Sequence, residues 1–120
     1  MRYPLALALL YLAATLPHTA LADPPEIRAA MATRTGDTWR IDVTIAHPDT
    51  GWDHYADGWE VIAPTGEGIG FRELLHPHVN EQPFTRSLQV SVPEGVGSLF
   101  IRARCLQDGW GETKVPLALE

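Results

Sequence analysis

The side chains with chemistry to offer are four histidines and one thiol. Beyond residue 22 the chain carries His47, His54, His76 and His78, and its single cysteine is Cys105. In His76-Pro77-His78 the proline fixes its own φ and biases the residue before it toward extended conformations. Side chains two apart in an extended segment share a direction, so two imidazoles would project together as a chelate needs. His47 or His54, with Glu81 or an aspartate, would complete a site for Zn(II), Cu(II) or Fe(II). The metal-site residues so predicted are His76, His78, His47, His54 and Glu81, with Cys105 as a further donor. Beyond residue 22 only Met31 remains, which excludes a thioether-rich Cu(I) site. The same residues also have a plainer use. Loop histidines cap turns and bond backbone carbonyls, and Cys105 shares a face with Leu99, Ile101 and Ala103, as a buried structural thiol would.

No catalytic pattern stands beside these donors. The chain has no G-x-S-x-G elbow, no P-loop and no dinucleotide fingerprint. Ser87, Ser91 and Ser98 fall in or beside strands, with no histidine at a suggestive spacing. Nothing singles out a carboxylate pair for acid–base work. These absences favour a binding module over an enzyme. Nine basic residues face 15 acidic ones, for a formal net charge of −6, and no Lys/Arg run occurs. That balance argues against nucleic acid and anionic membranes as partners. The partners expected are a metal ion or a periplasmic protein.

The elements that must position these donors read as strands. Residues 1–22 have the form of a signal peptide, with Arg2, an apolar stretch at 5–16 and a small-x-small site ending at Ala22. No other stretch approaches the roughly 18 apolar residues that span a bilayer. A periplasmic or secreted domain over 23–120, without membrane insertion after cleavage, is therefore expected. No Cys follows the cleavage site and one Arg alone precedes the apolar stretch, so neither a lipid anchor there nor a twin-arginine signal is expected. The remaining length allows a single core, and a lone Cys105 allows no internal disulfide.

Period-two alternation, punctuated by Gly and Pro, predicts strands at 26–34, 38–46, 58–63, 69–75, 84–92, 98–105 and 113–119. The first would turn Ile27, Ala29 and Met31 inward, although its alanines also permit a helix. Trp39, Ile41, Val43 and Ile45 share one face of the second. Trp39 and Trp59 are expected in the core. About seven antiparallel strands in some hundred residues predict an all-β, immunoglobulin-like β-sandwich.

If each strand reverses the one before it, the turns at 35–37, 64–68 and 93–97 share one end. The connections 47–57, 76–83 and 106–112 share the other. This second end holds all four histidines, along with Trp52, Tyr55 and Trp110 and the acids Asp49, Asp53, Asp57, Glu81, Asp108 and Glu112. A solvated acidic end suffices to account for the carboxylates, and the three aromatics are expected to be exposed or to pack the long loops onto the sandwich. Binding residues concentrate on loops held by a rigid scaffold, so this end is the predicted site.

Two families share features of this end. His47-Pro48, His54-Tyr55 and Trp59-Glu60 resemble the iron-ligand stretch of superoxide reductases, the desulfoferrodoxin and neelaredoxin group. Cys105-Leu106-Gln107-Asp108-Gly109 resembles their C-x-x-H-G pattern, with Asp108 in place of the histidine. The resemblance implies an immunoglobulin-like fold and iron held by four His and one Cys. It carries over to His47, His54 and Cys105. The loop His47-Pro48-Asp49-Thr50-Gly51 is similar to one in SoxZ, a subunit of the periplasmic thiosulfate-oxidising carrier. That resemblance implies a cofactor-free module that binds a protein partner. The stretch 76–87 resembles small exported bacterial proteins and implies no activity.

Overall fold

Alternation of apolar and polar residues builds two facing sheets. The computed structural model describes residues 24–120, and the expected signal peptide lies outside the described residues. One sheet holds β1 (Glu26–Thr35), β2 (Thr38–Ala46) and β5 (Phe84–Val90) in the order β1-β2-β5. The other holds β3 (Ala56–Ile62), β4 (Gly68–Glu73), β6 (Ser98–Cys105) and β7 (Gly109–Trp110) in the order β4-β3-β6-β7. In this second sheet β8 (Val115–Ala118) also pairs with β6. Every pairing is antiparallel. The links β2→β3, β4→β5 and β5→β6 cross from one sheet to the other. This is the all-β sandwich expected from the sequence. No helix among the described residues is long and apolar enough to cross a membrane.

The core is the meeting of the two inner faces. Ile41, Val43 and Ile45 of β2 lie against Trp59 and Val61 of β3 and Leu99, Ile101 and Ala103 of β6. Trp59 is fully buried, as expected of a third-strand tryptophan. Trp39 instead lies at the margin, partly buried, with the Arg34 guanidinium 5.8 Å from its ring centre.

Three local features, among others, depart from the alternation. In β1 the register against β2 shifts between Ile27 and Ala29. The extra residue, Arg28, reverses the faces that follow. Ala30 and Ala32 therefore pack on the core, while Met31, expected inside, is 57% exposed. In β3, a second shift between Ala56 and Gly58 lets both Ala56 and Trp59 point inward. It also starts the strand two residues before the expected position. Third, Gly109 adopts φ 75°, a conformation natural to glycine, and closes the turn after Cys105. The two-residue β7 follows, pairing Trp110 with Arg104. Trp110 is consequently not a free loop aromatic. The Arg102 guanidinium lies 4.3 Å from its ring centre, and the Phe71 ring 5.9 Å.

The sheets approach closely where β4 meets β5. A Cβ on Gly70 would lie 2.8 Å from Val90 Cγ1 and 3.0 Å from Leu88 Cδ2, both in the opposite sheet. Gly68 faces open space. Gly70→Ala is expected to lose about 1–3 kcal/mol by overpacking. Gly68→Ala should stay within about 0.5 kcal/mol of the native chain. Urea unfolding of both variants checks the difference.

Candidate metal centre

The connection from β2 to β3 folds back on itself twice. Asp49 N–H donates to the His47 carbonyl at 2.7 Å, with Pro48 between them. A three-residue turn of this kind suits the fixed φ of proline. It brings the Asp49 side chain back onto the His47 ring. Next, Thr50 N–H donates to the His54 carbonyl at 3.0 Å and His54 N–H to the Gly51 carbonyl at 3.1 Å. This small ladder returns His54 to His47, with the ring centres 4.7 Å apart and the planes at 62°.

Cys105 arrives from the other side on a rigid element. It is the last residue of β6, fully buried, and opposite Ala56 of β3 in the ladder. Leu106 N–H donates to the Tyr55 carbonyl at 3.0 Å, and Gln107 Nε2 donates to the Asp53 carbonyl at 2.8 Å. Both bonds tie the turn after Cys105 to the loop that carries His54. One donor atom each from His47, His54 and Cys105 then lies within 4.8 Å of the others. Tetrahedral Zn–N and Zn–S bonds would separate such donors by about 3.5 Å, so ligation would draw them somewhat closer.

Asp49 holds this arrangement. Its side chain is fully buried, and the whole residue is 6% exposed. Oδ1 lies 2.5 Å from His47 Nδ1 and accepts Ala56 N–H at 2.9 Å. Oδ2 accepts His78 N–H at 2.8 Å. A carboxylate only accepts, so a proton sits on His47 Nδ1, and in the neutral ring the lone pair is on Nε2. Nε2 is buried and has no hydrogen-bond partner. Buried polar atoms are rarely left so, and an orphaned imidazole lone pair beside a second imidazole and a thiol fits a metal. The acidic end is therefore not uniformly solvated: its first aspartate is a structural group. Burial was hidden in the sequence, but His-Pro-Asp spacing was a readable hint of a turn that returns a carboxylate to a histidine.

The second histidine pair is arranged differently. The His76 and His78 ring centres are 4.5 Å apart, and both residues sit at the same end as His47. His76 is exposed, with Nδ1 3.1 Å from the Pro77 carbonyl. His78 is 4% exposed and stacks on Phe84 at 3.8 Å with the planes 9° apart. Arg86 Nη2 donates to His78 Nε2 at 2.9 Å. Glu81 is exposed and pairs with Arg86 Nη1 at 3.4 Å. Neither His76, His78 nor Glu81 belongs to the group of donor atoms formed by His47, His54 and Cys105. Gln82, not singled out from the sequence, joins the two loops: Oε1 accepts His47 N–H at 3.0 Å and Nε2 donates to the His78 carbonyl at 2.9 Å.

The electrostatics follow from burial. Desolvation pushes the Cys105 thiol above its ordinary value. Desolvation first, then the positive Arg86 and the neighbouring His76, lower His78 and keep it neutral.

Three outcomes follow from this geometry. Without metal, Cys105 should react slowly with a thiol reagent at pH 8, because both burial and a scarce thiolate protect it; timed labelling of native and urea-unfolded chain measures this. Asp49→Ala strips three buried N–H donors of their acceptor and should cost about 3 kcal/mol or more, read by urea unfolding. The third concerns pH. An unfolded His78 takes a proton near pH 6.5, whereas the folded one takes it lower. Stability should therefore fall as pH drops from about 7 through that window. His78→Phe, which keeps the stack, should flatten the slope between pH 7.5 and 5.5.

No family model matches this chain. A "Putative lipoprotein" of Halomicrobium mukohataei is 42% identical over 76 residues, which is 63% of this chain. The match spans 37% of that relative's own length. Among solved structures, the superoxide reductase (1Fe-SOR) from Giardia intestinalis aligns with a TM-score of 0.49 at 18% identity, over 78% of this chain and 99% of that one.

Proposed function

We propose that the chain is an exported binding protein that holds one divalent transition metal ion through His47, His54 and Cys105. The observation that carries this reading is the buried, unpartnered His47 Nε2 beside the His54 ring and the Cys105 thiol. Two imidazoles and a thiolate suit Zn(II), Cu(II) or Fe(II). Asp49 would do what carboxylates behind ligating histidines do: fix the tautomer and make the ring a better donor. His47 and Cys105 are buried while His54 is half-buried, two residues after the exposed Trp52, so a further ligand or a partner would approach past His54. Export is supported by the form of residues 1–22 and by the description of the Halomicrobium mukohataei relative as a lipoprotein.

A protein partner at the same end is a second reading. Trp52 (66% exposed), Leu75, Val79 and Leu106 are exposed apolar side chains on the connections around the site. Such exposed apolar groups are what an interaction surface presents.

Dialysis against Zn(II), Cu(II) and Fe(II), followed by elemental analysis, tests the metal reading. The native chain and His76→Ala should each retain about one ion, while His47→Ala and Cys105→Ser should lose it. Retention should also fall as pH drops through about 6.5, where imidazoles take protons. A native chain that binds nothing, or a Cys105→Ser chain that binds as well as native, sinks the metal reading in favour of the interaction module.

A further inference from the structure

Behind Asp49 stands a second imidazole that no part of the metal reading uses. His78 is nearly fully buried and packed flat on Phe84. The charged and titratable groups facing it are Arg86 on β5, Asp49 on the β2–β3 loop, and His76 and Glu81 on its own loop. Its ring has two nitrogens with different surroundings. Arg86 Nη2 lies 2.9 Å from Nε2. A guanidinium can only donate, so Nε2 must accept, and the ring proton is forced onto Nδ1. Nδ1 is buried, has no hydrogen-bond partner, and lies 3.9 Å from Asp49 Oδ2. Arg86 therefore decides which end of the His78 dipole faces the buried carboxylate. With Arg86 in place it is the positive N–H end. With the other tautomer it would be a lone pair set against an acceptor in a region of low dielectric.

We propose that Arg86 is a positioning residue of the metal centre, acting through the tautomer of His78 to hold Asp49, and through Asp49 to hold His47 with Nε2 free for the ion. The inference rests on the metal reading above. Arg86 is itself fixed by its bond to the Thr85 carbonyl at 2.7 Å, by Glu81, and by its place 5.5 Å from the Phe84 ring centre. The chain Arg86–His78–Asp49–His47 thus runs from a partly exposed guanidinium on a strand to a buried donor atom. It joins β5, the loop before it and the loop after β2. One of its links, His78–Asp49, joins residues 29 positions apart, so the chain supports the loop geometry from outside the loop.

Co(II) titration, monitored by the thiolate-to-metal and ligand-field absorption bands, supplies the test. Arg86→Met removes the donor, and His78→Phe removes the dipole while keeping the stack. Each should weaken Co(II) binding about tenfold, as loss of outer hydrogen bonds at metal sites does, and should shift the ligand-field bands. The double variant should be no weaker than either single one, because both break the same chain. Arg86→Lys, which can still donate to Nε2, should bind within threefold of native. Thermal melts of the metal-free variants show whether the fold is kept. Native affinity and bands in Arg86→Met, or losses that simply add in the double variant, overturn the inference while leaving the metal reading standing. Failure of the native chain to bind Co(II) overturns both. If Arg86→Met does not fold, His78→Phe against native carries the comparison, and unchanged bands there decide against the proposal.

Discussion

A carboxylate without access to water governs this end of the molecule. Placing the Asp49 charge inside a protein is costly unless hydrogen bonds replace the water it loses. Here they come from three segments: the His47 ring, the Ala56 N–H at the start of β3 and the His78 N–H on the loop before β5. Each donor would itself be an orphan without Asp49. The cost of leaving any of them unmet makes the arrangement close to all-or-none, since partly satisfied buried networks are worse than apolar packing. The loop geometry, the tautomer of His47 and the position of His78 are all consequences of meeting that demand.

The sandwich makes the demand possible. Antiparallel crossing of β2, β3, β5 and β6 delivers the ends of four strands to one edge of the core. Cys105 and Ala56 are fixed there by the β3–β6 ladder. The bulge at the start of β3 lets Ala56 turn inward while its N–H points to Asp49. One donor therefore rides on a rigid strand end, and two ride on a loop that would be loose without its carboxylate. Gln82 adds a second brace, accepting from His47 N–H and donating to the His78 carbonyl, so the two loops are joined through both a charge and an amide.

Much of this was legible in the residues, for identifiable reasons. A half-buried strand writes its inner face every second residue. So Ile41, Val43 and Ile45 in β2, and Leu99 to Cys105 in β6, announced both strands and faces. The segregation of all four histidines to one end followed from strand reversal alone. Alternation fails where an extra residue is inserted, because a bulge leaves no mark in composition; Met31 reads as inward for that reason. Asp49 reads as one more solvated acid because its three donors come from sites up to 29 residues away, and hydrogen bonds between loops have no period. The closeness of the His76 and His78 rings, 4.5 Å between centres, followed from their spacing. The use of the second ring did not, since Arg86 and Phe84, not spacing, decide where its nitrogens go. Cys105 was ambiguous by nature: a core thiol and a ligand at a strand end write the same pattern.

Charge bookkeeping then narrows what the donor set suits. Two neutral imidazoles and one thiolate bring a single negative charge to the site. A monovalent ion there would leave the Asp49 carboxylate as the uncompensated charge in a buried region. A divalent ion would leave one positive charge beside one negative one, with the His47 imidazole between them. The second arrangement costs least in a medium of low dielectric. It would also give the bond from His47 Nδ1 to Asp49 a partly ionic character, of the kind that shortens and strengthens a hydrogen bond. Arg86 and Glu81 compensate one another farther out, and His78, kept neutral between them and Asp49, adds no charge of its own. A dication held by His47, His54 and Cys105 would thus be balanced by its surroundings, with the thiol ionised by ligation itself.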